Sequence, residues 1–182
     1  MAPARFLRCP RFASRRALIQ AALAATLVCA SFGAWAGGAS ARPRSAGELA
    51  YAHGDYVRAA QLLAPEAEAG RATAQAYLGY MYENGLGVPQ DFVTAAKWLT
   101  LAAEQGAPTA QYLLAGLYDR GEGVKHDSVV AEVWYNLAAA HADPRNREFW
   151  AGMRDAVASK LSKAEVDEAQ RRARVWVAPA AP

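Results

Sequence analysis

The sequence predicts an all-α fold: a short right-handed α-α solenoid of about three helical hairpins, closed by a C-terminal helical cap. Three observations predict it. The stretch from Ala72 to Asp143 states one pattern twice, at a constant step of 36 residues. Each copy carries two apolar stripes at helical spacing. A glycine-rich break separates the stripes in both copies, and a fixed period of this size marks stacked helical repeats.

The step links Ala74 to Ala110, Gln75 to Gln111, Leu78 to Leu114 and Tyr82 to Tyr118. It also links Gly85 to Gly121, Gly87 to Gly123, Val88 to Val124 and Asp91 to Asp127. Ala95, Trp98, Leu101 and the pair Ala102-Ala103 recur as Ala131, Trp134, Leu137 and Ala138-Ala139. Ala74, Leu78, Met81 and Tyr82 fall on one face of a first helix. Ala95, Trp98, Leu99 and Ala102 do the same for a second. Isolated helices of this length are marginal in water, so each stripe must bury against its partner and the next repeat. The alanines and Gly79 suit close helix approach. The tryptophans are expected to supply most of the buried area, with Trp98, Trp134, Tyr82 and Tyr118 in the core.

The break has its own chemistry. Asn84 or Gly85 suits the left-handed cap that ends the first helix. Leu86-Gly87-Val88-Pro89 cannot continue it. Asp91 and Asp127 stand where an N-cap is wanted. Gly106 ends the second helix, and Pro108 fits the first turn of the next.

This period and these residues resemble the Sel1-like repeat, a relative of the tetratricopeptide repeat. The pattern is Ala-Gln-x-x-Leu-Gly-x-Met-Tyr-x-x-Gly-x-Gly-Val-x-x-Asp, then Ala-Ala-x-Trp-x-x-x-Ala-Ala-x-x-Gly, from Ala74 to Gly106. The second copy departs from it: Ala115 replaces the helix glycine, Glu132 replaces Ala96, and His141-Ala142 replaces Gln-Gly. These departures place the second copy near the end of the array. The resemblance implies a protein-binding family, used for assembly of envelope complexes and restraint of membrane-bound sensors.

Around the pair, the chain divides as follows. Residues 1–36 read as a signal peptide, with five arginines and no acid before and around an apolar run, then Ala34-Trp35-Ala36 at the cleavage point. Ser14-Arg15-Arg16 also resembles a twin-arginine signal. Residues 37–44 read as a flexible tether. Residues 45–71 form a first hairpin of tetratricopeptide type, with a shorter link. Residues 72–107 and 108–143 are the two full repeats. Residues 144–177 hold two capping helices; Asp143 and Pro144 are expected to open the first, and Ser162 with Glu165 form a capping box for the second. Residues 178–182 are a tail.

Both cysteines, Cys9 and Cys29, leave with the leader, which removes disulfide, thiolate and cysteine-metal chemistry from the remainder. Removing the five leader arginines from twenty basic residues leaves fifteen, against seventeen acidic ones. That net of −2 gives no basic stripe for nucleic acid. The glycine pairs lack the strand and lysine of a phosphate loop. His53, His126 and His141 do not converge, so no metal is expected. No cofactor is expected, and no nucleophile elbow or Ser-x-x-Lys signature appears.

First helices of such a stack line its concave face. Tyr77, Tyr80 and Tyr112 are placed there, with Thr73, Gln75, Glu83, Thr109, Gln111 and Asp119 as polar companions. Exposed tyrosines on a rigid groove anchor partners; the alternative is that they pack between hairpins. The first functional reading is an exported, non-enzymatic adaptor holding a protein or peptide of the cell envelope in this groove. A second is a small periplasmic hydrolase or β-lactam-binding enzyme, a role the resemblance raises. A third is self-association by stacking of hairpins.

Overall fold

The computed structural model describes residues 44–176. The leader, all but the last residue of the tether, and the tail lie outside the described residues. Within them the chain forms eight helices and no strand: α1 (Ala46–Ala52), α2 (Tyr56–Glu68), α3 (Ala72–Asn84), α4 (Phe92–Glu104), α5 (Pro108–Arg120), α6 (Ser128–Ala140), α7 (Arg147–Ala158) and α8 (Lys163–Val175).

Helices α1–α2, α3–α4 and α5–α6 pack as antiparallel hairpins. The second helix of each hairpin packs on the first helix of the next, and the first helices α1, α3 and α5 touch in series. The result is a solenoid. Its last second helix, α6, carries both α7 and α8. Helix α7 takes the place of a fourth first helix. Helix α8 does not complete that hairpin but lies back across α6.

Local chemistry sets the helix ends. Asp91 accepts from the amides of Val93 and Thr94 at 2.9 and 3.2 Å, and Asp127 from those of Val129 and Val130, both at 3.0 Å. These bonds satisfy amides that a helix start leaves without partners. Ser45 and Asp55 cap α1 and α2 in the same way. Gly85 and Gly121 end α3 and α5 in the left-handed conformation, φ 67° and 69°. Ser162 and Glu165 form the full capping box of α8.

One expectation about a helix start fails. Asp143 and Pro144 do not begin α7; residues 143–146 form a turn, and Asn146 is the N-cap. Asp143 spends its carboxylate inside that turn, accepting from the Arg145 amide at 2.8 Å and the Asn146 side chain at 2.9 Å. Such Asx turns compete with helix formation.

Glycine is required at two kinds of place. A Cβ on Gly79 would sit 2.6 Å from Leu99 Cγ, so the hairpin closes only without one. Gly87 and Gly123, both at φ 69°, lie on the start of the preceding second helix. A Cβ there would overlap the Tyr56 and Phe92 carbonyls. Each break therefore docks one hairpin onto the one before it.

The core runs unbroken from Tyr51 to Leu117 through Leu63, Met81, Leu99 and Leu114. Two smaller clusters, around Tyr135 with Val157 and around Trp150 with Ala138, join α6 to α7. The tryptophans are not the centre of this core. Trp98, Trp134, Tyr82 and Tyr118 are half-buried and pack against its border. Adjacent residues on a helix point about 100° apart. The buried stripe of α4 is centred on Ala95, Leu99 and Ala102, which leaves Trp98 at its edge.

Leu99→Ala is expected to destabilise by about 3–4 kcal/mol, and Trp98→Ala by roughly 2 kcal/mol, because only part of the indole is enclosed. Urea unfolding of the two variants checks the order. Gly123→Ala combines a left-handed backbone with an overlap and should destabilise by at least about 3 kcal/mol. Gly54→Ala, with the same sign of φ but open space around it, should cost only about 1–2 kcal/mol.

Candidate functional site

The first helices place their residues in two different environments, and the expected groove set divides between them. Gln75, Tyr77, Tyr80, Thr109 and Gln111 are buried. Thr73, Glu83, Tyr112 and Asp119 keep partial access to solvent.

Tyr77 is 5% and Tyr80 4% exposed, so neither is the open anchor expected of it. Tyr51 of α1 packs edge-on against both rings, at centroid distances of 4.8 and 6.4 Å. The packing alternative describes these two tyrosines, because the shorter first hairpin brings its aromatic residue against α3.

Gln75 and Gln111 also leave the groove set, for a clear reason. The Gln75 amide donates to the Ala67 carbonyl at 3.0 Å. The Gln111 amide donates to the Ala103 carbonyl at 3.1 Å. Each reaches back to the last turn of the preceding helix, whose carbonyls have no partner within that helix. Gln105 then donates to Gln75 Oε1 at 2.7 Å. Its counterpart 36 residues on is His141, which instead donates from Nδ1 to the Leu137 carbonyl at 3.0 Å, since a carbonyl only accepts. Gln111 Oε1 is left without a partner.

Glu83 and Asp119 stand in the last turns of α3 and α5, with Tyr112 about one turn into α5 and Thr73 apart at the start of α3. Glu83 accepts from Arg120 Nη2 at 2.8 Å, and Arg120 Nε donates to Glu122 at 2.5 Å. Asp119 accepts from Lys160 Nζ at 2.8 and 3.0 Å. The Arg120 cation sits in the last turn of α5, where a helix end favours positive charge. Tyr112 stacks on Trp150 of α7, with centroids 5.2 Å apart and planes 11° apart. It also meets Tyr135 edge-on at 5.7 Å. The site is thus a charged edge, Glu83, Arg120, Glu122, Asp119 and Lys160, beside an aromatic wall.

Burial dominates its electrostatics. Glu83 is pushed up to about 7 by burial, against the pull of Arg120, with Glu122 adding to the rise. Tyr112 is raised to about 12, first by burial and then by Glu83. Burial also raises Tyr135. Glu132 on α6, 1% exposed, is raised to about 7 by burial, against its hydrogen bond from Asn136. Glu83 Oε2 and Glu132 Oε2 both lack a hydrogen-bond partner. Among the described residues no group of three or more His, Cys, Asp or Glu could hold a metal ion. None of their helices is long and apolar enough to cross a membrane.

Sequence reasoning missed Arg120, Glu122, Lys160, Tyr135 and Trp150. The first, second and fourth of these carried a signal: they break the 36-residue step, replacing Asn84, Leu86 and Leu99.

Hairpins stacked in this way, with a shared edge along their first helices, define an α-α solenoid of helical repeats. Residues 72–106 and 108–143 each match the Sel1 repeat, so the chain carries two Sel1 repeats. Among solved structures, it is similar to c5321, a protective antigen present in uropathogenic Escherichia coli strains that displays an SLR fold. Identity is 25% over 90% of this chain and 33% of that one, with a TM-score of 0.66. It is also similar to a Sel1 repeat protein from Oxalobacter formigenes, at 37% identity over 52% of this chain and 38% of that one, with a TM-score of 0.49. The chain spans well under half the length of either. No curated protein matches it. The fold is one that typically serves as a scaffold for protein–protein interaction.

Glu83 and Glu132 make stability depend on pH with a definite sign. Both carboxyls hold their proton more tightly folded than unfolded, where the ordinary value is 4.5. Stability is therefore greatest below that value and is lost as pH rises towards about 7. Between pH 5 and 8 each group should remove roughly 2–3 kcal/mol. Urea titrations at the two pH values should show the fall, and Glu132→Gln should remove about half of it. A flat profile would contradict the burial of both acids.

Proposed function

We propose that this protein is an exported, non-enzymatic adaptor that holds a protein or peptide of the cell envelope against the first-helix face of its repeats. The observation that carries the reading is the charged edge at the ends of α3 and α5. Glu83, Arg120, Glu122, Asp119 and Lys160 lie beside Tyr112, on a face built by two Sel1 repeats. Salt-bridged side chains at a rim can exchange partners, and a nearby aromatic wall supplies contact area. Thr73, at the start of α3, extends the same face. The residues bound inside the stack, Gln75, Tyr77, Tyr80, Thr109 and Gln111, hold its shape. Export rests on the leader read from residues 1–36, with its basic start, apolar run and small-residue cleavage point.

The test is in vivo crosslinking of the tagged chain, with identification of the joined proteins. Arg120→Glu combined with Lys160→Glu reverses two rim charges at exposed positions. The double variant should keep its helical content and lose at least about tenfold of partner capture, as opposed charges across an interface do. Capture equal to wild type would remove the groove reading. Export is checked separately: the protein recovered from the envelope fraction should begin at Gly37.

A further inference from the structure

The last repeat departs from the pattern at one place where the fold asks for nothing polar. Glu132 stands 36 residues after Ala96, and Ala96 is a buried residue of α4 facing the solenoid's interior. The acid inherits that enclosed position. Its Oε1 accepts from Asn136 Nδ2 at 2.9 Å on its own helix. Its Oε2 has no partner. An uncharged carboxylic acid tolerates such a place far better than a carboxylate.

The neighbour across the interface is α7. The charged groups that act on Glu132 are Arg154 and Asp155 of that helix, while α5 and α8 bring no charge to it. Arg154 pairs with Asp155 at 2.7 Å, so its cation is already answered. Helix α7 itself fully buries only Trp150 and Val157. Trp150 stacks on Tyr112, Val157 joins the Tyr135 cluster, and Lys160 just beyond the helix reaches Asp119. Among the described residues no further hairpin packs on its outer side, since α8 turns back to α6. An end element with few buried contacts is where local opening concentrates.

We propose that α7 is a proton-sensitive end piece: it stays seated on α6 while Glu132 is uncharged, and opens when Glu132 ionises, uncovering Tyr112 at the end of the first-helix face. Ionisation leaves a carboxylate in an enclosed site with one amide bond and, for a counter-charge, only the Arg154 cation that Asp155 already shares. Opening gives it water. The device lengthens the accessible face at higher pH and shortens it at lower pH. Its use in partner binding rests on the adaptor reading above; the opening itself does not, and is measured without any partner.

Hydrogen exchange of the full chain, corrected for intrinsic rates, tests it. The readout is the opening constant of amides in α7 relative to those in the middle of α5. With Glu132 titrating near 7 when seated and at its ordinary value when released, the α7 constant should be about 30-fold larger at pH 8 than at pH 5.5. Glu132→Gln keeps the shape and the amide bond without the charge, and should abolish the change. Glu132→Ala, which installs the preceding repeat's residue, should do the same. A wild-type ratio that does not move with pH overturns the proposal. So does an equal change in Glu132→Gln, which would assign the effect to Glu83 or another group. A change shared equally by α5 would mean global unfolding and would also overturn it.

Discussion

A glutamine amide reaching back eight residues to the end of the preceding helix sets the joint on which this solenoid depends. Gln75 makes the bond to Ala67 and Gln111 makes it to Ala103. Both are buried, so the bond is formed out of reach of competing water, and losing it would strand the glutamine's donor. The joint fixes where each first helix meets the hairpin before it. Gly87 and Gly123 fix the other end of the same hairpins, where the chain of each break lies directly on the preceding helix start. Two anchors at opposite ends leave little freedom to rotate, and the alanine-rich interfaces between them close at short range. The functional face follows from that rigidity, since it is assembled from the ends of helices that the joints align.

How far the sequence discloses this depends on what each residue answers to. Features set by local backbone chemistry are plain in it. The Asp91 and Asp127 caps, the Gly85 and Gly121 helix ends and the Ser162–Glu165 box all occur where residue type alone places them. The all-helical solenoid is equally plain, because a 36-residue echo has few other physical meanings. Facing is less plain. Helical spacing puts Trp98 beside Leu99 on one broad stripe but does not say which of the two points to the centre. The answer depends on a partner helix approaching over Gly79, and only Leu99 fits under that approach.

The candidate site was the least visible part, and the reason is specific. Tyrosines and glutamines on a first helix satisfy a binding surface and a polar joint equally well by composition. Gln111 is 0% exposed and spends its amide on a carbonyl of the neighbouring hairpin, and nothing within its own repeat announces that partner. The informative residues were the ones that broke the echo. Arg120, Glu122, Glu132 and Tyr135 stand where the earlier copy has Asn84, Leu86, Ala96 and Leu99. In a repeated architecture the shared residues explain the shape, and the unshared ones carry whatever is particular to this chain.

The two ends of the array are built differently, and this governs how it could grow. A whole unit inserted between Ala107 and Pro108 would meet the same glutamine joint and the same glycine seat on both sides. The groove would lengthen by one hairpin with no new interior laid bare. A unit added after Asp143 would instead have to displace α7 and α8 together, because α6 carries both. Growth from within would thus leave the terminal packing untouched, whereas growth after Asp143 would have to rebuild the side of α6 that α7 and α8 share.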